Sequence, residues 1–77
     1  KGSLVAVLAN EPGSLADVTK IISLNDGNIS NIQVFSRDLD YYKFNIDLEV
    51  KNITHLNQII AAMRLSEFVE SVERGKD

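Results

Sequence analysis

The chain has 77 residues, a formal net charge of −3 at pH 7 and no cysteine. This length allows one domain with a small core, and the lack of cysteine excludes disulfides and thiolate zinc sites. The acidic balance, without a basic cluster, argues against nucleic-acid binding, which depends on clustered Lys and Arg. No apolar run approaches the ~20 residues that span a bilayer, and no signal-peptide pattern is visible. We therefore expect a cytoplasmic protein that makes no membrane contact.

The first residue is Lys rather than Met, and the chain closes on the charged segment RGKD. We therefore expect residues 1–77 to be a single domain and a fragment of a larger protein. A core of this size supplies only about 3–5 kcal/mol of stability. Assembly with a second copy, docking on the parent protein or binding of a ligand would add to it.

The first third of the chain predicts a strand and a helix. Residues 3–9 are apolar on both parities and partly β-branched, which is typical of a central strand. From Ser14 to about Asn25, apolar residues recur at helical spacing. Ser14 and Asp17 match the S-x-x-D capping box at the helix start, and Gly27 is placed for a left-handed C-terminal cap.

Two further strands are predicted in the middle of the chain. In Asn28–Arg37, Ile32 and Val34 share one face, but Ile29 is out of phase with them, so we expect a bulge or a later strand start. Turn residues follow at positions 37–40. The clearest alternation in the sequence comes next and predicts a strand with one buried face. Its apolar parity consists of Tyr42, Phe44, Ile46, Leu48 and Val50.

The last third predicts a second helix and a short closing strand. Asn52 is a good N-cap, and we expect His55, the single histidine, to face solvent in the first turn. The apolar side of this helix consists of Ile53, Leu56, Ile59, Ile60 and Met63. The closing strand is predicted from Phe68 to about Arg74.

The order β-α-β-β-α-β predicts an α+β fold, the ferredoxin-like sandwich, in which a four-stranded antiparallel sheet carries two helices on one face. Right-handed crossovers put the first and third strands in the middle. One apolar set of the first strand then faces away from the helices, and Phe35 is expected to join it. This open face is either a mildly apolar surface or a surface that another copy or a neighbouring domain covers.

We expect no catalytic site, no metal site and no cofactor. The glycine motifs that bind nucleotide phosphates are absent from the sequence, and so is any cluster of metal-ligating residues. Two pairs of acidic residues lie in the turn at positions 37–40 and on the solvent-exposed face of the third predicted strand. Nothing apolar lies near them that would raise a carboxyl pKa for general-acid chemistry.

The candidate ligand-binding segment is NEPGSL at residues 10–15. Pro12 restricts the backbone, and Gly13 lets a ligand approach closely. The first helical turn beyond them carries N–H groups without internal partners, which suit a carboxylate. Asn10 and Asn28 would add amide groups, either close together in one chain or across a dimer seam. The alternative is that these polar residues only cap and turn the chain.

The sequence resembles an ACT domain, a small ligand-binding regulatory module of many enzymes of amino-acid metabolism. The resemblance lies in N-x-P-G-x-L, a helix and then G-N-I, and it covers essentially the whole chain. The segments IDLEVKNITHLNQIIAAMR and VESVER are similar to the C-terminal ACT domain of the RelA/SpoT proteins. Those proteins are bifunctional (p)ppGpp synthetases and hydrolases, or GTP pyrophosphokinases, of the stringent response.

The resemblance implies a non-catalytic domain that senses an amino acid. The implied partners are that amino acid, a second copy in a homodimer, the other domains of the parent protein, and the ribosome and tRNA through the full-length protein. The implied ligand-binding residues are Asn10, Glu11, Pro12, Gly13, Ser14, Leu15, Asn28, Ile29 and Ser30.

The position two before Asn10 is polar and contacts the ligand in some amino-acid-binding ACT domains. Here it is Leu8, which favours an apolar effector such as a branched-chain amino acid, or no ligand. Two alternatives therefore stand beside amino-acid sensing. One is a docking or dimerisation module of the same parent protein that binds no small molecule. The other is an ACT domain of an amino-acid biosynthetic dehydrogenase or kinase.

Overall fold

The computed structural model describes residues 2–75, and its elements follow the predicted order. The strands are β1 (Gly2–Ala9), β2 (Asn28–Arg37), β3 (Tyr41–Glu49) and β4 (Val69–Arg74). The helices are α1 (Ser14–Leu24) and α2 (Ile53–Met63). Within residues 2–75, neither helix is long and apolar enough to cross a membrane.

The four strands form one sheet in the order β2-β3-β1-β4, and every neighbouring pair is antiparallel. The predicted ferredoxin-like α+β fold is therefore confirmed, with β1 and β3 in the middle of the sheet. Because β2 pairs only with β3 within this sheet, its outer edge is open.

The hydrophobic core lies between the sheet and the two helices. In β1, Leu4, Ala6 and Leu8 are fully buried against the helices, whereas Val5 and Val7 lie on the open face and are only half-buried. In β3, the predicted apolar parity supplies the buried side chains. The core consists of Leu4, Ala6, Leu8, Val18, Ile22, Phe44, Ile46, Leu48, Leu56, Ile59, Ile60, Met63 and Val72.

The strand β2 contains two irregularities in its pairing with β3. The register shifts between Ile29 and Asn31 and again between Val34 and Ser36. The first shift confirms the predicted bulge, since it lets Ile29 pack against the core although it is out of phase with Ile32. The second shift lies at Phe35, which is 59% exposed and borders the same hollow of the open face as Val5.

The predicted capping box at the start of α1 is wrong. Gly13 is the N-cap residue, with a left-handed φ of 86°. Because glycine has no side chain, the start of α1 lacks a side-chain cap hydrogen bond within the described chain. Ser14 is already helical and buried against the core, so its hydroxyl cannot occupy the cap position. The Asp17 carboxylate instead accepts a hydrogen bond from the Ser66 hydroxyl at 2.6 Å.

The predicted left-handed cap at Gly27 is also wrong. Asp26 adopts the left-handed conformation there, with φ of 64°. Gly27 serves close packing instead, because a Cβ at this position would lie 2.8 Å from Ile22 Cγ2 and 2.8 Å from Ile59 Cδ1. The glycine therefore lets α1, α2 and the start of β2 approach one another.

At α2 one prediction is confirmed and two are wrong. The Asn52 side chain accepts a hydrogen bond from the His55 N–H at 2.8 Å, as an N-cap should. Ile53, predicted to face the core, is 48% exposed because it lies at the very start of the helix. His55, predicted to face solvent, is only 8% exposed.

Candidate functional site

Three loops meet at the end of the sheet where β1 finishes. The loop between β1 and α1 is held by the β2–β3 hairpin, since Asn10 donates its backbone N–H to Asp40 O at 2.8 Å and its side-chain amide to Asp38 O at 2.7 Å. On the other side, Ala9 N–H donates to Phe68 O at 2.8 Å, which anchors the α2–β4 loop. The candidate NEPGSL segment is therefore fixed by two loops distant in sequence.

Asp38 stabilises the hairpin that supports this segment. Its carboxylate accepts N–H groups of Asp40 at 2.9 Å and Tyr41 at 2.8 Å. These hydrogen bonds, the one from Tyr41 first, lower the pKa of Asp38 below its usual value. The charged form is thus favoured because backbone donors surround it.

Within NEPGSL, part of the backbone is used by the chain itself. Glu11 N–H donates to Ala9 O at 2.9 Å, and Ser14 N–H donates to Glu11 O at 3.2 Å. Gly13 closes the turn with a left-handed backbone conformation. A Cβ atom added at this position would meet no atom within 4 Å. Space in front of Gly13 is therefore open on one side.

Three backbone amides at the start of α1 have no acceptor within residues 2–75, namely those of Gly13, Leu15 and Ala16. They lie at the positive end of an 11-residue helix. Such a group of donors suits a carboxylate. The prediction that the loop presents unpaired amides therefore agrees with the geometry at these three positions.

The other half of the candidate set, Asn28, Ile29 and Ser30, lies at the opposite end of the sheet. Asn28 pairs with Glu49, whereas Ala9, beside the candidate loop, pairs with Tyr41. Eight residues of strand separate these ends, which corresponds to roughly 25 Å. One chain therefore does not bring Asn28 and Asn10 together, and only the arrangement across a dimer seam remains for a joint site.

A hollow of about 320 Å³ adjoins the candidate loop on the side of the open sheet face. It is bordered by Ala9, Glu11, Asp40, Tyr41, Glu67, Phe68 and Glu70. Four of these residues carry carboxylates, so the hollow disfavours an anion. Within this segment, only the open backbone amides at the start of α1 therefore suit a carboxylate.

The imidazole of His55 lies far from this loop and is engaged on both sides. Its Nδ1 accepts the Lys51 N–H at 2.9 Å, and its Nε2 lies 2.7 Å from Asn25 O. Within residues 2–75 no group of three or more His, Cys, Asp or Glu side chains is placed to hold a metal ion.

The residues that hold the loop and the first turn of α1 in place are not evident from the sequence. The carbonyl oxygens of Asp38 and Asp40 accept hydrogen bonds from Asn10 in the loop, and Ser66 donates a hydrogen bond to Asp17 in α1. Ser66 contacts Asp17 across 49 positions of sequence, and no local pattern signals such a pairing.

Comparison with protein families and with curated proteins gives a consistent result. A family model described as ACT domain matches residues 1–74. GTP pyrophosphokinases rsh of Brucella ovis and Brucella melitensis are 40% identical to this chain over 65 residues. The aligned part covers 84% of the chain and 9% of each relative, so the chain spans about a tenth of the length of these relatives.

Solved structures share the fold. The ACT domain from a GTP pyrophosphokinase of Chlorobium tepidum superposes with a TM-score of 0.80 at 27% identity, covering 96% of this chain and 95% of that chain. The regulatory subunit of aspartate kinase from Thermus thermophilus, in a ligand-free form, has a TM-score of 0.73 at 11% identity. That match covers 100% of this chain and 52% of that chain, and it shows the fold alone.

Proposed function

The chain belongs to the ACT domain family, and we propose that it is the non-catalytic regulatory ACT domain of a bifunctional (p)ppGpp synthetase/hydrolase of the RelA/SpoT type. The observation that carries the proposal is the 40% identity to GTP pyrophosphokinases over 84% of the chain. The coextensive ACT domain of the Chlorobium tepidum enzyme supports it. Sequencing the gene on both sides of this segment tests it, since synthetase and hydrolase regions should precede the domain.

We further propose that the domain senses an amino acid through the start of α1. The open amides of Gly13, Leu15 and Ala16 would take the effector's carboxylate. Leu8 is fully buried in the core and offers the effector no polar contact. We take the effector to be apolar, such as a branched-chain amino acid.

The site is completed in this proposal by a second copy. The outer edge of β2 is open, and antiparallel pairing of two β2 strands would place the first residues of one strand beside the last residues of the other. Asn28, Ile29 and Ser30 of one protomer would then lie beside Arg37 and the hairpin that holds Asn10. The candidate residues, separated in one chain, would meet across the seam.

Regulation would follow by linkage. An amino acid bound at the seam stabilises the paired arrangement over any other arrangement of domains in the parent protein. It shifts the balance of synthetase and hydrolase activity only as far as its affinity differs between the two arrangements. A coupling of roughly 1–3 kcal/mol is typical.

A docking module that binds no small molecule is the second candidate function. The observation that favours it is the acidic hollow beside the loop, which includes Ala9 and Glu11 but not Gly13. In this case the half-buried valines of the open sheet face would contact another part of the parent protein.

Calorimetric titration of the 77-residue protein with a panel of amino acids separates the two. We expect heat with valine, leucine or isoleucine, and loss of that heat in Asn28→Ala, which removes an exposed amide of the proposed seam. Asn57→Ala, an exposed amide on α2 outside the seam, is the matched control and should bind as the unchanged protein does. If no amino acid of the panel gives a heat of binding at millimolar concentration, the result would favour the docking module.

A further inference from the structure

The single histidine joins the end of α1 to the start of α2. His55 is nine-tenths buried, its Nδ1 lies 2.9 Å from Lys51 N and its Nε2 lies 2.7 Å from Asn25 O. A backbone N–H can only donate and a carbonyl oxygen can only accept. The two contacts together therefore require a neutral imidazole with its proton on Nε2.

We propose that His55 is a proton-sensitive clasp that holds the α1–β2 turn against the start of α2. Protonation of Nδ1 would replace an acceptor by a donor that faces the Lys51 N–H. The imidazolium cannot keep this contact, so the β3–α2 turn must separate from the ring. Acidification thus opens the clasp.

Two charged residues border the hollow beside the ring. The α1–β2 turn contributes Asp26 to this hollow and the β3–α2 turn contributes Lys51, which carries the opposite charge. The helix α2 adds the uncharged Thr54 and Gln58, and its N-terminal end, where the ring lies, is the positive end of the helix dipole.

The clasp holds the α1–β2 turn, the segment that leads into β2. Asn25, whose carbonyl oxygen accepts the hydrogen bond from Nε2–H, is followed by the left-handed Asp26 and the tightly packed Gly27. These residues lead directly into β2, the strand with the open edge. Opening of the clasp therefore loosens the entry to β2, whether or not the domain binds an amino acid.

Equilibrium unfolding of the 77-residue protein and of His55→Gln at pH 7.5 and pH 5.5 tests the clasp. The contacts of Nδ1 with Lys51 N and of Nε2 with Asn25 O exist only in the folded protein. Acidification should therefore raise the unfolding constant of the unchanged protein at least about threefold more than that of His55→Gln. The other titrating groups are common to both proteins and cancel in the comparison. A smaller difference overturns the proposal.

A measurement on the unchanged protein keeps the test valid if His55→Gln does not fold. Nitrogen NMR of the imidazole should show the Nε2–H tautomer at pH 7.5. As the pH falls, the Lys51 amide signal should move in step with the ring. A ring with its proton on Nδ1, or a ring that protonates without any change at the Lys51 amide, overturns the clasp.

Discussion

At the scale of single residues, two glycines of this domain are required for different structural reasons. Gly13 supplies a left-handed backbone with open space around it, whereas Gly27 has ordinary backbone geometry but no room for a methyl group. A side chain at Gly13 is therefore disfavoured by conformation, and one at Gly27 by packing against Ile22 and Ile59. Only Gly13 leaves its surface free for a ligand.

Gly13→Ala should lower the free energy of unfolding by about 1 kcal/mol, because the added methyl group meets no atom but the left-handed conformation disfavours it. Gly27→Ala should cost more, about 1–3 kcal/mol, since its Cβ collides with two side chains. Urea denaturation of the two variants measures both values. A smaller loss at Gly27 than at Gly13 would contradict this assignment.

Asp38 is the second residue with an effect beyond its own position. Its exposed carboxylate accepts two backbone N–H groups of the hairpin, and the hairpin in turn accepts both donors of Asn10. The lowered pKa of Asp38 means that its charged form is favoured in the folded protein. The stabilisation is therefore present above the pKa of the unfolded chain and is lost as the pH falls through the folded value.

Asp38→Ala should destabilise the protein at neutral pH, and the difference from the unchanged protein should shrink as the pH falls below ~3.9, where an unfolded Asp takes up its proton. Thermal melts between pH 7 and pH 2.5 give this difference. Asp40→Ala is the control, because the Asp40 carboxylate accepts no hydrogen bond from residues 2–75. A pH-independent effect of Asp38→Ala would disprove the role of its charge.

At the scale of elements, the two helices begin in different ways. The helix α2 has a side-chain cap from Asn52, so one of its free N–H groups is satisfied internally. The helix α1 begins at a glycine that offers no side-chain acceptor, and its first turn keeps open donors within the described chain. An internally capped helix serves stability, whereas an uncapped one is available for an external anion.

Asn52→Ala should lower the free energy of unfolding by about 1 kcal/mol, because His55 N–H loses its acceptor. Asn52→Ser keeps an acceptor at the same position and should recover most of that loss. Chemical denaturation with circular dichroism as the probe compares the two. Equal losses in both variants would show that Oδ1 of Asn52 is not the group that matters.

At the scale of the whole molecule, the sheet separates the two halves of the candidate site. Asn10 and its supporting hairpin lie at one end of the sheet, and Asn28 lies at the other. The strand β2 connects these ends along an open edge that carries Val34 and Phe35, which are 48% and 59% exposed. An exposed edge strand of this kind is a surface for pairing with another chain.

Val34→Lys should weaken a dimer formed through β2 at least tenfold, because it places a charge on the edge strand. Leu39→Lys is the matched control, since Leu39 is 92% exposed at the hairpin tip outside β2. Sedimentation equilibrium over a range of concentrations measures both constants. A monomer at all concentrations, or equal weakening by the two variants, would remove the proposed seam.

The sequence by itself determined the element order, the central position of β1, the buried parity of β3, the bulge at Ile29 and the Asn52 cap. Each of these depends on local periodicity or on groups within a few residues of each other, so the pattern of side chains is enough to specify them. The family resemblance followed from the same local motifs, and the comparisons confirmed it.

Only the tertiary structure decided how the chain ends its helices and where its polar groups find partners. Burial of Ser14 removed the expected capping box, packing around Gly27 moved the left-handed position to Asp26, and contacts with Lys51 and Asn25 drew His55 inward. The physical reason is the same in each case. These outcomes depend on groups that the fold brings together from distant segments or packs against the core, and the energy of such contacts exceeds the local preference of the residue.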